Sequence, residues 1–542
     1  TLGNLGSLYF ALRKYEEALD YLQRAWAMRR EVGDLYGKGI TLNNLSLALI
    51  QTNQLAEAEQ TLFAAMEIWE SLRGGLTDDD NKISLFDKIS LTYSNLQYTL
   101  IAQNKIETAL EISERGRARA FVELMALRLS GQSQEEFIPP QPLNLAQIRQ
   151  VAQEQNATLV EYSIAEDTYS IVGDKLYIWV VSPNGEIAFR QVELSSLNQN
   201  LEDFITTIRA NYGIRAGARP TLRPEYEAQV LAEAKRQRTQ LHQLLIEPIA
   251  DLLPTNPEDR VIFLHQGELF LVPFPALQDA DGTYLVEKHT ILTAPSIQVL
   301  GLTRRPNPPA PFPSRAGGAL LPSGATESPS PGRGGVGEGS VLVVGNPTMP
   351  TVQLLSGETL YLSSLPGAER EAAAIAQFLG TEALIGDAAT ESAVLERLPQ
   401  ASIVHLATHG LLDDFGYGIP GAIALAPYGN NDGLLTAGEI LDLKLNADLV
   451  VLSACDTGRG EITGDGVVGL SRALVTAGVP SIIVSLWKVD DAATSELMQQ
   501  FYRNWQESGD KAQALRQAML TTMQQHPEPS HWAAFTLIGE AN

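Results

Sequence analysis

Apolar positions in the first 125 residues recur at helical spacing, and the whole pattern then repeats. Leu2-Gly-Asn-Leu5 returns 40 residues later as Leu42-Asn-Asn-Leu45 and a further 51 later as Tyr93-Ser-Asn-Leu96. Between these, Tyr15-Glu-Glu-Ala18-Leu19 returns as Leu55-Ala-Glu-Ala58 and as Ile106-Glu-Thr-Ala109-Leu110. The stretch Gly74-Gly-Leu-Thr-Asp-Asp-Asp80 accounts for the longer second step. A small Ala at a fixed point of each second helix, with Leu and Tyr at helical spacing, is what closely packed antiparallel helix pairs require. A junction helix follows with Glu114-Arg-Gly-Arg-Ala-Arg-Ala-Phe121, whose three arginines are expected to pair with acids at a domain junction.

From Thr158 the pattern changes to strands: Thr158-Leu-Val-Glu-Tyr-Ser-Ile164, Lys175-Leu-Tyr-Ile-Trp-Val-Val-Ser182 and Ile187-Ala-Phe-Arg-Gln-Val192. The Pro183-Asn-Gly185 turn between the last two predicts a hairpin. A long helix is expected near Glu225 to Leu253, and Arg260-Val-Ile-Phe-Leu-His265 with Leu269-Phe-Leu-Val-Pro273 reads as strand, turn, strand. Between Arg305 and Ser340 there are 8 Pro, 8 Gly and 5 Ser in 36 residues, a composition that builds no core and predicts a disordered insertion. From Val341-Leu-Val-Val-Gly345 an α/β alternation begins. A helix from Ala368 to Leu379, apolar runs at Ser402–Thr408 and Asp448–Ala454, a helix from Val467 to Ala477 and a strand from Val479 to Trp487 follow in order. That order predicts a parallel sheet with right-handed crossovers.

At 542 residues the chain exceeds what one core supports, and three or four domains are expected. A hydrophobic share of 44% and a charged share of 19% are those of an ordinary globular protein. No apolar run reaches the ~20 residues needed to cross a bilayer, so no membrane partner is expected. Thr1-Leu-Gly-Asn-Leu5 reads as neither a signal peptide nor a natural start, and the chain reads as the C-terminal part of a longer one. A single cysteine excludes intrachain disulfides and zinc-finger frameworks and fits a reducing cytoplasm. The net charge of −25 argues against direct nucleic-acid binding and favours basic partners. From Leu365 onward 22 Asp and Glu face 9 Lys and Arg, although a merely solubilising surface gives the same balance.

That sole cysteine, Cys455, lies just past the apolar run Asp448-Leu-Val-Val-Leu-Ser-Ala454, and 46 residues upstream the run Ser402-Ile-Val-His-Leu-Ala-Thr408 ends in His409-Gly410. Both runs have the length and β-branched content of buried parallel strands. Imidazole and thiol would then stand at the carboxyl ends of two strands, the edge where open α/β sheets place their chemistry. Singly, a lone Cys is ordinarily a small buried hydrophobe and a strand-end His a satisfied structural group. Together they differ, because a thiolate nucleophile needs an imidazole to lower its pKa or take its proton. A His followed about 50 residues later by a Cys in an Ala-Cys context is the order of caspase-type cysteine peptidases. His405, on the same strand but about 13 Å further back by strand rise, reads as packing.

The helical repeats resemble tetratricopeptide repeats of the longer, roughly 40-residue kind, whose stacked arrays offer a concave groove to a protein or peptide partner. Further along, Val261-Ile-Phe-Leu-His-Gln-Gly-Glu-Leu-Phe-Leu-Val-Pro-Phe274, Ala407-Thr-His-Gly410, Leu452-Ser-Ala-Cys-Asp-Thr-Gly458, Gly464-Asp-Gly466 and Ser485-Leu-Trp-Lys-Val-Asp490 together resemble the CHAT domain family. These are caspase-like modules of the broad clan that holds caspases, metacaspases and separase, often fused behind tetratricopeptide repeats. The resemblance covers nearly the whole chain, and the insertion looks peculiar to it. The fold class it implies is an α-helical solenoid followed by an α/β caspase-like domain with a mostly parallel sheet flanked by helices. The implied division is repeats and junction helix over 1–130, a degenerate N-terminal half over 131–304, the insertion over 305–340 and a catalytic half over 341–542.

The same resemblance implies peptide-bond hydrolysis through an acyl-enzyme. Cys455 attacks the carbonyl, His409 serves as acid and base, backbone N–H groups of Gly410 and Cys455 hold the oxyanion, and no metal or other cofactor is needed. Asp456 stands where a caspase places Arg, and a carboxylate there cannot favour an acidic substrate residue. Trp487-Lys-Val-Asp-Asp491 resembles the Trp-containing, Asp-rich segment of separase that helps bind basic residues before the cut, which makes Asp490 and Asp491 candidate substrate-binding residues. The same run is an ordinary helix start, with Asp490 as cap and Asp491 favoured by the helix dipole. The leading expectation is an endopeptidase that cuts protein substrates after a basic residue and is switched by a partner on its repeats. Two others stand beside it, a scaffold that keeps the fold without turnover and a Cys-dependent hydrolase or acyltransferase of small substrates. Retention of His409, Cys455 and the flanking glycines weighs against the scaffold.

Overall fold

The computed structural model describes residues 2–74, 79–131, 137–165, 174–197, 200–213, 224–304, 340–353, 359–411, 420–453, 461–463, 466–487 and 491–542. For residues 73–74, 79–89, 120, 196, 209–213, 224–228, 353, 461–463, 466–468 and 491 only the backbone is described. The insertion expected over 305–340 therefore lies, except for Ser340, outside the described residues.

Six helices pair in sequence: α1 (Leu2–Ala11) with α2 (Tyr15–Val32), α3 (Leu35–Gln51) with α4 (Leu55–Gly74), and α5 (Asp79–Ala102) with α6 (Ile106–Arg115). Ala18, Ala58 and Ala109 are fully buried, so each pair closes at its small residue as the repeat pattern requires. The recurring asparagines tie one repeat to the next. Asn44 donates to Ser7 Oγ at 3.2 Å and Asn95 to Asn43 Oδ1 at 3.2 Å, each reaching the first helix of the preceding pair.

The junction helix, α7 (Arg119–Ser130), follows a tight turn in which Ala118 adopts φ +47°. Each of the three arginines finds an acid. Arg115 Nε donates to Glu70 at 2.6 Å, Arg117 lies 3.4 Å from Glu161, and Arg119 lies 3.3 Å from Glu123. Arg117 also donates to the backbone carbonyls of Tyr162, at 2.6 Å, and of His265. The adjacent Glu114 accepts from the backbone N–H groups of Ile297 at 3.1 Å and Gln298 at 2.8 Å, at the start of the helix Ile297–Thr303. These residues sew the repeats to the sheet.

Among the described residues eleven strands form that sheet: β1 (Ala157–Ala165), β2 (Lys175–Val181), β3 (Ile187–Glu193), β4 (Arg260–Leu264), β5 (Thr290–Ala294), β6 (Ser340–Pro347), β7 (Leu384–Gly386), β8 (Ala401–Ala407), β9 (Leu449–Leu452), β10 (Ser481–Ser485) and β11 (Phe535–Gly539). Their order is β3-β2-β1-β4-β5-β11-β10-β9-β8-β6-β7. β1, β4 and β5 are mutually parallel, as are β7, β6, β8, β9 and β10. β2 and β3 form the expected antiparallel hairpin, with Gly185 at φ +86° in its turn. β11, antiparallel to β10 and bridged to β5 through Ile538 and Thr293, joins the two sets into one sheet.

Alternation decides which side of the sheet each helix covers. On β6, β8, β9 and β10 one face presents Val343, Ile403, Val451 and Ile483 to the helices Pro366–Leu379 and Asp491–Ser508. The other face presents Val344, Val404, Val450 and Val484 to α7 and the helix Leu470–Thr476. Three expected elements differ. The long helix expected near Glu225 to Leu253 ends at Leu245, and Glu247–Leu252 continues as 3₁₀ turns around Pro248. Leu269–Pro273 is not a strand: Gly267–Leu271 coils into a 3₁₀ turn, Leu269 and Leu271 are buried, and prolines at 273 and 275 remove N–H donors that a ladder needs. The helix expected from Val467 starts only at Leu470, because the β-branched pair at 467 and 468 belongs to a short ribbon, Gly466–Val468 on Glu461–Thr463.

Candidate functional site

β8 and β9 lie side by side with Leu406 opposite Leu452, and Ser453 N–H donates to Leu406 O at 2.9 Å. His409 follows Leu406 by three residues, as Cys455 follows Leu452 in sequence. Cys455, Asp456 and Asp490 lie outside the described residues. Asp491 is the first residue of the helix Asp491–Ser508, and only its backbone is described.

The backbone of His409 is pinned on both sides. Thr408 Oγ1 donates to Ala424 O at 2.7 Å, and Ala424 N–H donates to His409 O at 3.0 Å. Gly410 begins a short strand, Gly410–Leu411, in a three-stranded sheet with Ala422–Ala424 and Leu434–Thr436. It stands opposite Ile423 in the pairing where the flanking residues make the bonds, so its own N–H points away from the partner strand. The His409 ring is part exposed, and its Nε2 lies 2.8 Å from the backbone carbonyl of Ser363. A carbonyl only accepts, so Nε2 carries the hydrogen and, in the neutral ring, Nδ1 holds the lone pair.

Beneath this edge His405 is fully buried but is not simple packing. Its Nε2 lies 2.9 Å from Glu371 Oε1 and its Nδ1 lies 3.2 Å from the Tyr502 hydroxyl. Burial, and after it the Glu371 carboxylate, push the Tyr502 hydroxyl well above its ordinary pKa. The three side chains tie β8 to the helices Pro366–Leu379 and Asp491–Ser508. Trp487, at the end of the described residues before Asp490, is buried and donates its indole N–H to Ser530 O at 3.2 Å.

The two sets of strands share their edges. Arg260, at the amino end of β4, bonds Asp510 at 2.6 Å, and the neighbouring buried Lys511 feels the charges of both Asp510 and Asp448, just before β9. Burial lowers Lys511 to about 8. At the opposite edge the ribbon Glu461–Thr463/Gly466–Val468 lies against Gly267–Leu271, which follows β4. Among the described residues no group of three or more His, Cys, Asp or Glu could hold a metal ion, and no helix is long and apolar enough to cross a membrane.

Two contributors to this edge escape sequence reasoning, the Ser363 carbonyl and Asn346, which holds the segment around it. The one available signal is Gly345-Asn346-Pro347 directly after an apolar run, a combination that marks a special turn.

A helical repeat array leading into a mixed, mostly parallel sheet covered by helices is thus the architecture, with its candidate chemistry at the exits of β8 and β9. The CHAT domain matches residues 235–540 and the tetratricopeptide repeat matches residues 1–71. With more than half of its length inside the first match, the chain belongs to the CHAT domain family. Tetratricopeptide repeat protein 28 of Mus musculus is 27% identical over 92% of this chain and 24% of its own length, and that of Homo sapiens is 26% identical over the same shares. The chain therefore spans about a quarter of the length of these curated relatives. A chain of the Saccharomyces cerevisiae separase–securin complex superposes with a TM-score of 0.54 at 10% identity, over 99% of this chain and 44% of that one. The fold they share is the caspase-like one.

Proposed function

We propose that the chain is a caspase-like cysteine endopeptidase working through a His409–Cys455 dyad. The observation that carries this reading is the bond between His409 Nε2 and the Ser363 carbonyl, which leaves Nδ1 as the free base of a ring standing at a strand exit beside the strand that leads to Cys455. In the proposed cycle Nδ1 takes the thiol proton as sulfur attacks the scissile carbonyl. The oxyanion is met by N–H groups of Gly410 and Cys455, and the Nδ1 proton goes to the departing amine. Water, deprotonated by the same nitrogen, then cleaves the thioester and frees the sulfur. No step calls for a metal or other cofactor. Asp456, Asp490 and Asp491 favour a basic residue before the cut.

Regulation is proposed to enter through the repeats, from a protein or peptide in their groove. One contact supports the route: Phe121 of α7 lies 5.5 Å beneath the guanidinium of the buried Arg472, on the helix that follows the segment holding Cys455. A reducing cytoplasm, with no nucleic acid or membrane as direct partner, suits one free thiol and a net charge of −25.

The test is direct because Cys455 is the only cysteine. Cleavage of a protein substrate should vanish in Cys455→Ala and in His409→Ala. Alkylation of the wild-type thiol should rise at a pH well below the ~8.5 of a free cysteine. A thiol that alkylates like a free one, with or without His409, refutes the reading and leaves the scaffold alternative.

A further inference from the structure

The Ser363 carbonyl lies between Leu362, which packs on the cluster of Val352, Leu411, Ala422 and Leu434, and the helix Pro366–Leu379; the side-chain hydrogen bonds to Ser364 and Leu365 come from a third strand. β6 runs beside β8 with Gly345 opposite Ala407, two residues before His409. The next residue, Asn346, adopts a left-handed φ of +44°, a conformation that Asn tolerates better than other side-chain-bearing residues. Its amide reaches the lead-in to the helix Pro366–Leu379. Oδ1 accepts from Leu365 N–H at 2.7 Å and from Ser364 Oγ at 3.1 Å, while Nδ2 donates to Glu369 at 3.0 Å. The N-cap position of that helix is Leu365, whose side chain makes no cap bond, and Asn346 satisfies the Leu365 N–H from another element. The approach is tight. A Cβ on Gly345 would come within 2.3 Å of Ala372 Cβ and 2.7 Å of Ala368 O, so helix and strand end have no slack.

We infer that Asn346 is a positioning residue for His409: by gripping Ser364 and Leu365 it sets the Ser363 carbonyl where His409 Nε2 donates, and so fixes both the ring and its tautomer. The inference rests on the dyad reading of His409. A cap for the helix alone would stabilise the fold and leave the imidazole indifferent. Under the inference the chain of contacts runs from Asn346 through Ser364 and Leu365 to the Ser363 carbonyl and ends on the ring.

The experiment uses the full chain labelled with ¹⁵N-histidine, the His409 signal being assigned by its loss in His409→Ala, together with the rate of Cys455 alkylation by iodoacetamide read by intact mass. Asn346→Gly accepts the left-handed backbone and deletes the grip. It should convert His409 from the Nε2–H tautomer to a mixture and slow alkylation at pH 7 about tenfold, the usual scale for losing a group that orients a functional imidazole. Asn346→Asp combined with Glu369→Gln keeps the acceptor for Leu365 and Ser364, gives the second carboxylate oxygen an amide donor in place of a like charge, and should restore the tautomer and most of the rate. If Asn346→Gly lost the fold, Asn346→Ser, whose hydroxyl is too short to span the gap, would give the same comparison. A wild-type tautomer and rate in the folded Gly or Ser variant, with alkylation still slowed in His409→Ala, would overturn the inference and leave the dyad standing. Alkylation indifferent to His409→Ala would remove the dyad itself, and the inference with it.

Discussion

Replacing Arg117 with Met asks whether a buried charge network or apolar contact alone joins the repeats to the sheet. Methionine keeps much of the apolar stem and removes the donors to the Tyr162 and His265 carbonyls and to Glu161. Glu161, whose side chain is 1% exposed, then loses its cation. Removing one member of a buried pair costs about 3–5 kcal/mol, because the other charge is left without compensation. The surface pair Arg24–Asp20, with side chains 58% and 64% exposed, is worth about 0–1 kcal/mol and serves as the control. Arg117→Met/Glu161→Gln removes the stranded charge as well and should recover part of the loss. The sign with pH follows from the carboxyls. Burial, and after it Glu161, raise Glu114 from 4.5 to about 8, burial raises Glu161 as well, and Arg117 opposes both. A raised carboxyl contributes stability that is fully present below its unfolded pKa and is lost as pH rises through the folded one. The contribution of these carboxyls should therefore fall between pH 4.5 and about 8; His265 opposes it below 6.5, so the net fall is read between pH 7 and 8.5 and should be steeper in Arg117→Met. Urea unfolding followed by tryptophan fluorescence at pH 5, 7 and 8.5 reads both effects. A midpoint shift no larger than that of Arg24→Ala, with an unchanged pH slope, would refute the argument.

Other expectations concern single groups. Burial, and after it Arg117, lower His265 from 6.5 to about 3, so the unfolded chain binds a proton there that the folded one refuses and stability is lost as pH falls below 6.5. His265→Phe, stacked on Phe274 where the imidazole now lies at 4.6 Å, should flatten this acid limb by about 1.4 kcal/mol per pH unit in thermal melts, and an unchanged limb would contradict it. Glu371→Ala strands His405 in a dry site and should cost about 2–5 kcal/mol, with Glu371→Gln costing less because an acceptor remains; equal melting temperatures for the two would show that the bond carries no weight. Fluorogenic peptides that differ only before the cut should favour Lys or Arg, and Asp490→Asn or Asp491→Asn should erode the preference at least tenfold if a desolvated charge pair governs it. A basic preference untouched by both substitutions would remove these carboxylates from the pocket.

Legibility in the sequence followed the range of the interactions. The repeats were readable because Ala18, Ala58 and Ala109 obey a local period, and most strands because their apolar runs are continuous. Leu269–Pro273 was misread because an apolar run reports burial, and only backbone donors, which prolines withdraw, decide whether burial becomes a ladder. The pairing of the junction arginines with acids was foreseeable, but not that Glu114 would cap a helix 183 residues away. His409 stood out by its place at the end of a run. Its orienting partner did not, since a backbone carbonyl has no sequence identity, and Asn346 is an unremarkable residue until its side chain is seen on Leu365. Asp490 as a helix cap, like Cys455 and Asp456, falls outside the described residues.

The place of β11 has a consequence for how the molecule is made. The strand that lies between β5 and β10 comes after all ten others in the order of synthesis. Until residues 535–539 leave the ribosome, the nascent chain carries two partial sheets, each ending in an unpaired, wholly buried-type strand: Thr290–Ala294 on one and Ser481–Ser485 on the other. Such edges are templates for pairing with another chain. Closure must wait for a contact that spans about 240 residues on the side of Thr293, the kind of late, non-local step that exposes intermediates to misassembly. Overproduction should therefore yield partial sheets that stick to one another when translation outruns closure, and a nascent-chain arrest placed before residue 535 would hold the protein in that vulnerable state.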